Sequence, residues 1–383
     1  MKLCYVLPKF ELNSCENFYH IPNFLNELGK KFELYVILES LDGIEIEIPS
    51  ARKIFVIQKN RKMNIFLRSL KLIKLYFYLF NKGVRVFFIR SSLTGSFPIS
   101  FANRFLNFNN AKVIFWSCGQ DIVPISLKIN LQNLKRIFSK ALNLFVFRMV
   151  NYIATGPASM LDYYIEKFNL SSKKMLLLFN DISLERFYPI SIKEKQDLKK
   201  LLFNFSGKII LYVHTLNKSR GADLILEIAN RIKQDKLNIR IVVVGRPGDF
   251  SGTLVSSSKF LDDAMIFIGQ IANSEIVKYY QSADLFIMPS RGEGFPRVIL
   301  ESFATHCPVL SFDVGGVIDI IPKRLHSKFL INADNDELFV SSSISIVNDD
   351  NLINSSKSII KKEIDKFDTE RVARMYFDVI SNL

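Results

Sequence analysis

The sequence predicts an α/β protein of two Rossmann-like domains with parallel sheets, and three observations carry the prediction. A chain of 383 residues with 49% hydrophobic and 13% aromatic residues has enough apolar material for two cores. Short apolar runs bounded by turn residues alternate with stretches of helical spacing in both halves. Between two such runs, residues 285–288 and 308–312, lie a glycine-bearing loop and a helix start, which together make a βαβ crossover. A helix is expected to begin at Pro296, since proline is pre-set for a first helical position. The loop at residues 291–295 then sits at a helix N-terminus, beyond the carboxyl end of a strand. Open α/β sheets bind ligands there, and free amides and the helix dipole favour a phosphate.

In chain order, residues 1–7 read as a buried strand, residues 19–30 as a helix with Ile21, Phe24, Leu25 and Leu28 near helical spacing, and residues 32–38 as a second strand. Residues 59–83 are unusual. Apolar side chains from Ile65 to Phe80 cover most of a helix and leave a narrow basic stripe through Arg68, Lys71 and Lys74. Two readings stay open: a helix buried against the sheet with a solvated lysine edge, or an interfacial segment whose lysines meet anionic lipid while its aromatics dip into the bilayer. Residues 128–148 repeat the interleaving, with Lys135, Arg136, Lys140 and Arg148 among Leu134, Ile137, Phe138 and Phe145. Strands are expected at 84–89, 112–116 and 152–155 in the first domain, and at 208–213, 239–245 and 265–269 in the second. The linker to residue 207 contains the helical EKQDLKK, and residues 369–380 form a last helix.

Composition narrows the function classes. Cys4, Cys15, Cys118 and Cys307 are scattered without CxxC or Cys/His spacing, so neither a zinc site nor a disulfide scaffold is expected. The start of the chain lacks a signal-peptide apolar region, and no window offers about 18 apolar residues without charge. The net charge of +14 is unevenly spread: residues 1–190 carry 26 Lys+Arg against 13 Asp+Glu, and residues 191–383 carry 25 against 24. From Ile48 to Gln120 there are thirteen basic residues and no acidic one. A one-sided basic domain implies an anionic partner: nucleic acid, a phospholipid surface or a phosphorylated substrate.

Two carboxylates mark the loop and helix of the crossover. Glu293 lies in the loop and Glu301 about a turn and a half into the helix, so at about 100° per residue they are not stacked as an i,i+4 pair. They are expected to address different parts of one extended ligand. One carboxylate suits the vicinal hydroxyls of a ribose and the other a sugar; the alternative is a solvated loop Glu and a helix-surface Glu.

The segment resembles the nucleotide-sugar site of the retaining family 4 glycosyltransferases, of glycosyltransferases group 1. The resemblance rests on the glutamate pair of EGFPRVILE, with seven residues between, on Pro289 and Ser290 before the loop, and on Pro308, Val309, Gly315 and Gly316 after the helix. It is nearly continuous over residues 150–322 and includes NDISLERF at 180–187. It implies the GT-B fold, two Rossmann-like domains facing across a cleft: 1–190 for the acceptor, 191–365 for the donor, and 366–383 as a helix crossing back. By resemblance Glu301 holds the ribose, while Glu293, Gly294 and Phe295 hold the donor sugar. The resemblance also places on the donor Pro296, Arg297 and Val298 at the start of the helix, Ile271 within the base-contacting turn, and Gly245 at the end of the central strand. The family's arginine and lysine for the diphosphate fall on Thr215 and Arg220. Arg220 keeps the charge and can grip phosphate bidentately; Thr215 does not. Glu293 and Arg220 are therefore the expected catalytic pair.

The acceptor side is less marked. The loop PKFELNSCEN lacks the family's glycine pair, and Cys118 stands where a histidine usually precedes a glycine. Glu16, Asn17, His20, Cys118 and Asp121 are the candidates there. The resemblance implies sugar transfer from a nucleotide-diphosphate donor with retention, without metal or other cofactor, to a glycan or polyprenyl-diphosphate-linked acceptor in bacterial surface polysaccharide synthesis such as lipopolysaccharide. The basic domain adds an expected location in the cytoplasm, peripherally on the inner face of the membrane, with no nucleic-acid partner. Two rivals stay: a nucleotide-sugar epimerase of the same fold, and a basic nucleic-acid binder.

Overall fold

The computed structural model describes the chain except residues 9, 12–19, 43–45, 60–62 and 119–140. It forms two compact units, Met1–Phe179 with Thr369–Leu383, and Asn180–Asp368. Each is a parallel sheet with helices on both faces, as the alternation of apolar runs and helical spacing requires.

In the first unit the strands are β1 (Lys2–Leu7), β2 (Phe10–Glu11), β3 (Glu33–Asp42), β4 (Ala51–Lys59), β5 (Val86–Arg90), β6 (Lys112–Trp116), β7 (Tyr152–Thr155) and β8 (Met175–Leu177). Their order is β4-β3-β1-β5-β6-β7-β8, with β2 prolonging the line of β1 along β3. Because side chains alternate across a strand, β1 feeds two cores. Leu3, Tyr5 and Leu7 pack with the helix Ile21–Gly29, whereas Cys4 and Val6 pack with Leu72, Tyr76 and Leu79 of the helix Ile65–Asn81. The last helix, Thr369–Ser381, belongs to the first of these cores through Val372, Ala373, Tyr376 and Ile380.

The helix Ile65–Asn81 is capped by Asn64, whose side chain accepts from the Phe66 amide. It buries Leu72, Tyr76 and Leu79 and leaves Ile65, Phe66, Leu67 and Leu70 exposed. Of the expected basic stripe, Lys71 and Lys74 face solvent. Arg68 is turned inward instead, with Nε 3.8 Å from a carboxylate oxygen of the buried Glu39. Glu39 attracts it because, among the described residues, the buried carboxyl otherwise has the Ser92 and Thr94 hydroxyls. Beside it, the helix Leu93–Phe101 runs on through a π-helical turn, Ala102–Leu106. Phe97 stacks on Phe101 there at 6.2 Å between ring centres, and Phe105 lies tilted against Phe101 at 5.1 Å.

The second unit has β9 (Lys208–Val213), β10 (Ile239–Val244), β11 (Met265–Gly269), β12 (Leu285–Met288), β13 (Val309–Phe312) and β14 (Leu330–Ile331). Their order, β11-β10-β9-β12-β13-β14, runs third, second, first, fourth, fifth, sixth. The order reverses between β9 and β12, so the crevice outside their carboxyl ends is the topological switch point. The crossover from β12 to β13 is parallel as expected. Its helix is Arg297–Ala304, one residue later than expected: Pro296 keeps an extended ψ of 116° and serves as the N-cap.

Candidate functional site

Two loops meet at the switch point: residues 214–221 after β9 and residues 289–296 after β12. Their approach depends on Gly221, which has a φ of +73° and on which a Cβ would lie 2.1 Å from the Pro289 carbonyl oxygen. Glycine alone fits that backbone. The preceding residue is Arg220, so the close approach delivers its guanidinium to the β12 loop. Its Nη1 lies 2.5 Å from Glu293 Oε1 and donates also to Gly292 O at 2.6 Å and Ser290 Oγ at 3.1 Å. These contacts all use Nη1, which leaves the other N–H groups of the guanidinium for a ligand.

Glu293 has a second partner. The Thr215 amide donates to His214 Nδ1 at 2.7 Å, so that nitrogen carries no proton. The ring proton is then on Nε2, which donates to Glu293 Oε1 at 3.1 Å. The Glu293 side chain is 11% exposed. Burial pushes its carboxyl up, but the His214 hydrogen bond, the charge of Arg220 and the Ser290 hydroxyl outweigh that and hold it below the usual carboxylate range. A buried, ionised and oriented carboxylate therefore stands beside a guanidinium.

Glu301 lies half-buried on the helix Arg297–Ala304 and accepts from the Tyr280 hydroxyl at 3.0 Å. The other residues expected here fall around this frame. Gly294 accepts from the Gly316 amide at 2.9 Å, and the Phe295 carbonyl accepts from Asn180 at 3.1 Å. Gly245 follows β10 beside His214, while Ile271 follows the end of β11 and Val298 lies in the first turn of the helix. Arg297 points elsewhere, donating to the Asp181 carbonyl at 2.6 Å and lying 3.3 Å from its buried carboxylate. Thr215 Oγ1 accepts from Arg246 at 3.2 Å.

The acceptor candidates belong to the first unit. His20 is the N-cap of the helix Ile21–Gly29, and Cys118 follows the end of β6 and packs against one of that unit's cores. Glu16, Asn17 and Asp121 lie outside the described residues. Sequence reasoning missed His214, Arg246 and Tyr280. His214 had no signal, because the strand order that places it at the switch point is not written in the sequence.

Comparison with known proteins fits this geometry. Residues 193–365 match the family model described as glycosyl transferases group 1. Mannosylfructose-phosphate synthase of Agrobacterium fabrum is 26% identical over 209 residues, covering 52% of this chain and 45% of that protein. The chain thus spans under half the length of that relative. An N-acetylgalactosamine-N,N'-diacetylbacillosaminyl-diphospho-undecaprenol 4-alpha-N-acetylgalactosaminyltransferase of Campylobacter jejuni is 25% identical over 364 residues, covering 92% of this chain and 93% of that one. The solved structure of Anabaena Alr3699/HepE in complex with UDP superimposes with a TM-score of 0.73 at 13% identity, over the full length of both chains.

Proposed function

We propose that this chain, whose residues 193–365 belong to the group 1 glycosyltransferases and whose two Rossmann-like units have the GT-B fold, moves a sugar from a nucleoside diphosphate to a glycan or polyprenyl-diphosphate-linked acceptor. The observation that carries the reading is the Glu293–Arg220 pair at the switch point of the second sheet, with Glu301 on the helix that follows. Glu301 takes the ribose hydroxyls. The remaining N–H groups of Arg220 and the amides at the start of the helix Arg297–Ala304 take the diphosphate. Glu293 then faces the donor sugar. As the glycosidic bond breaks, negative charge grows on the leaving diphosphate, and the fixed guanidinium stabilises it without reorganisation. A metal ion has no part in this scheme, so turnover is expected to survive a chelator.

The acceptor and the stereochemistry belong to the same reading. The Campylobacter relative is named for a diphospho-undecaprenol acceptor and matches over nearly its whole length. Retention of configuration follows the family resemblance, and a role in bacterial surface polysaccharide synthesis follows from such an acceptor. The first unit would meet a membrane, since Phe66, Phe105 and Phe108 are 66%, 53% and 84% exposed in a domain rich in Lys and Arg. Among the described residues no helix is long and apolar enough to cross a membrane, so attachment would be peripheral.

The test incubates the purified protein with a panel of nucleotide sugars and vesicles carrying polyprenyl-diphosphate-linked oligosaccharide. The expected result is transfer of one sugar, with the anomeric configuration retained in the product by NMR. Conversion of the donor to its epimer without acceptor would establish the epimerase instead.

A further inference from the structure

Position 215 carries a hydroxyl where the resemblance implies a cation, and a guanidinium reaches the same place from another strand. β9 and β10 stay paired past their ends: the His214 amide donates to Val244 O at 3.2 Å and the Leu216 amide to Arg246 O at 3.0 Å. The approach is so close that a Cβ on Gly245 would lie 1.7 Å from the His214 carbonyl oxygen. Residue 246 therefore leaves the sheet beside residue 215, and Arg246 Nη2 donates to Thr215 Oγ1 at 3.2 Å. Arg220 is tied to the same spot, because the buried Tyr212 hydroxyl lies 3.4 Å from the Thr215 carbonyl oxygen and 3.2 Å from that of Arg220.

Charge decides what this arrangement can do. Glu293 is ionised and paired with Arg220, and the tautomer set by the Thr215 amide makes His214 neutral. The group His214–Arg220–Glu293 thus has no net charge, and by itself it gives a diphosphate little long-range attraction. Arg246 makes the sum positive. We propose that Arg246 is the second phosphate-binding cation of this site, directed at the diphosphate of the donor, with Thr215 as the positioning residue that holds its guanidinium. The proposal rests on the nucleoside-diphosphate reading above.

Calorimetry with UDP, GDP and ADP, each beside its bare nucleoside, tests it. Arg246→Gln is expected to weaken the preferred diphosphate at least about tenfold, the loss of a charged hydrogen bond, while leaving its nucleoside unchanged. Thr215→Val should weaken the diphosphate by less, and Thr215→Ser should restore it. Placing the charge back at its other position, Thr215→Arg in the Arg246→Gln background, should recover the lost affinity. In the wild type, Thr215→Arg should gain little, because it sets two guanidinium groups together. The exchange keeps the number of charges, so it carries the test if Arg246→Gln alone fails to fold. Unchanged diphosphate affinity in Arg246→Gln, equal losses for diphosphate and nucleoside, or no recovery in the exchange would overturn the assignment. A wild type that binds none of the three diphosphates would instead overturn the donor reading.

Discussion

A carboxylate held by two partners has a pH signature. Because Glu293 is held below its ordinary value, its ionised form stabilises the fold fully above the unfolded value of 4.5, and that contribution is lost as pH falls through the lower folded value. Thermal melting of the wild type should therefore steepen in its decline below about pH 4.5, and Glu293→Gln should flatten that limb. Identical acid limbs in the two proteins would mean that Glu293 is not tied down. In turnover, Glu293→Gln is expected to reduce rate more than donor affinity, since the proposed function turns the residue to the reacting sugar. Glu301 gives the opposite split: Glu301→Ala removes a charged acceptor, at a cost of about 1.5–3 kcal/mol in nucleotide affinity. Tyr280→Phe loses only the hydroxyl that donates to Glu301 at 3.0 Å and should cost less. Calorimetry separates these outcomes, and donor affinity unchanged by Glu301→Ala would remove that residue from the site.

Both glutamates are legible in the sequence because one loop and one helix hold them at fixed spacing. His214 and Arg246 are not, since they reach the site through the register of β9 against β10, which residue order alone does not state.

Elements show the same division. The strand β12 is legible as an apolar run, whereas what fixes its start is not. There Asp284 accepts from the Ile209 amide at 2.8 Å and pairs with Lys195 at 3.0 Å and Lys199 at 2.5 Å. Burial pushes its carboxyl up, and the two lysines and the amide more than reverse that, holding it below its ordinary range. The helix Ile192–Phe203, closed at its start by the Ser191/Glu194 capping box, is thereby locked onto the sheet that bears the site. Asp284→Ala leaves the Lys199 ammonium buried without its carboxylate and should cost about 3–5 kcal/mol in urea unfolding. A cost under about 1 kcal/mol would place the pair among ordinary surface bridges. The strand β4 escaped sequence reading because its apolar run is only four residues long and is flanked by Arg52, Lys53 and Lys59. Among the described residues it pairs with β3 alone, and an edge strand tolerates such charges and gains from them.

At the scale of the whole molecule, the charge imbalance between the halves and most of the exposed aromatic residues, Tyr188 and Phe260 apart, fall in the same unit. The apolar side chains of the helix Ile65–Asn81 are legible, but their helical spacing does not say that only Leu72, Tyr76 and Leu79 are buried. With Ile65, Phe66 and Leu67 exposed at one end of that helix, and Phe101, Phe105 and Phe108 along the neighbouring segment, water meets an apolar surface that a bilayer would cover. Cations near anionic lipid add about 1 kcal/mol each. Binding should then need both contributions. Vesicles containing anionic lipid should retain the wild type at low salt and release part of it near 1 M salt, where the Debye length falls to about 3 Å. Lys71→Gln, Lys74→Gln and Arg104→Gln together should weaken retention at low salt without changing nucleotide affinity. Arg68 is left in place, because removing it would strand the buried carboxyl of Glu39 and confuse lost folding with lost binding. Phe66→Ser with Phe105→Ser and Phe108→Ser should weaken the salt-resistant part instead, so the two sets of variants separate screening from insertion. If the wild type stays in solution beside anionic vesicles at low salt, the exposed aromatic surface has another occupant, and an acceptor in solution becomes the better reading of the first unit.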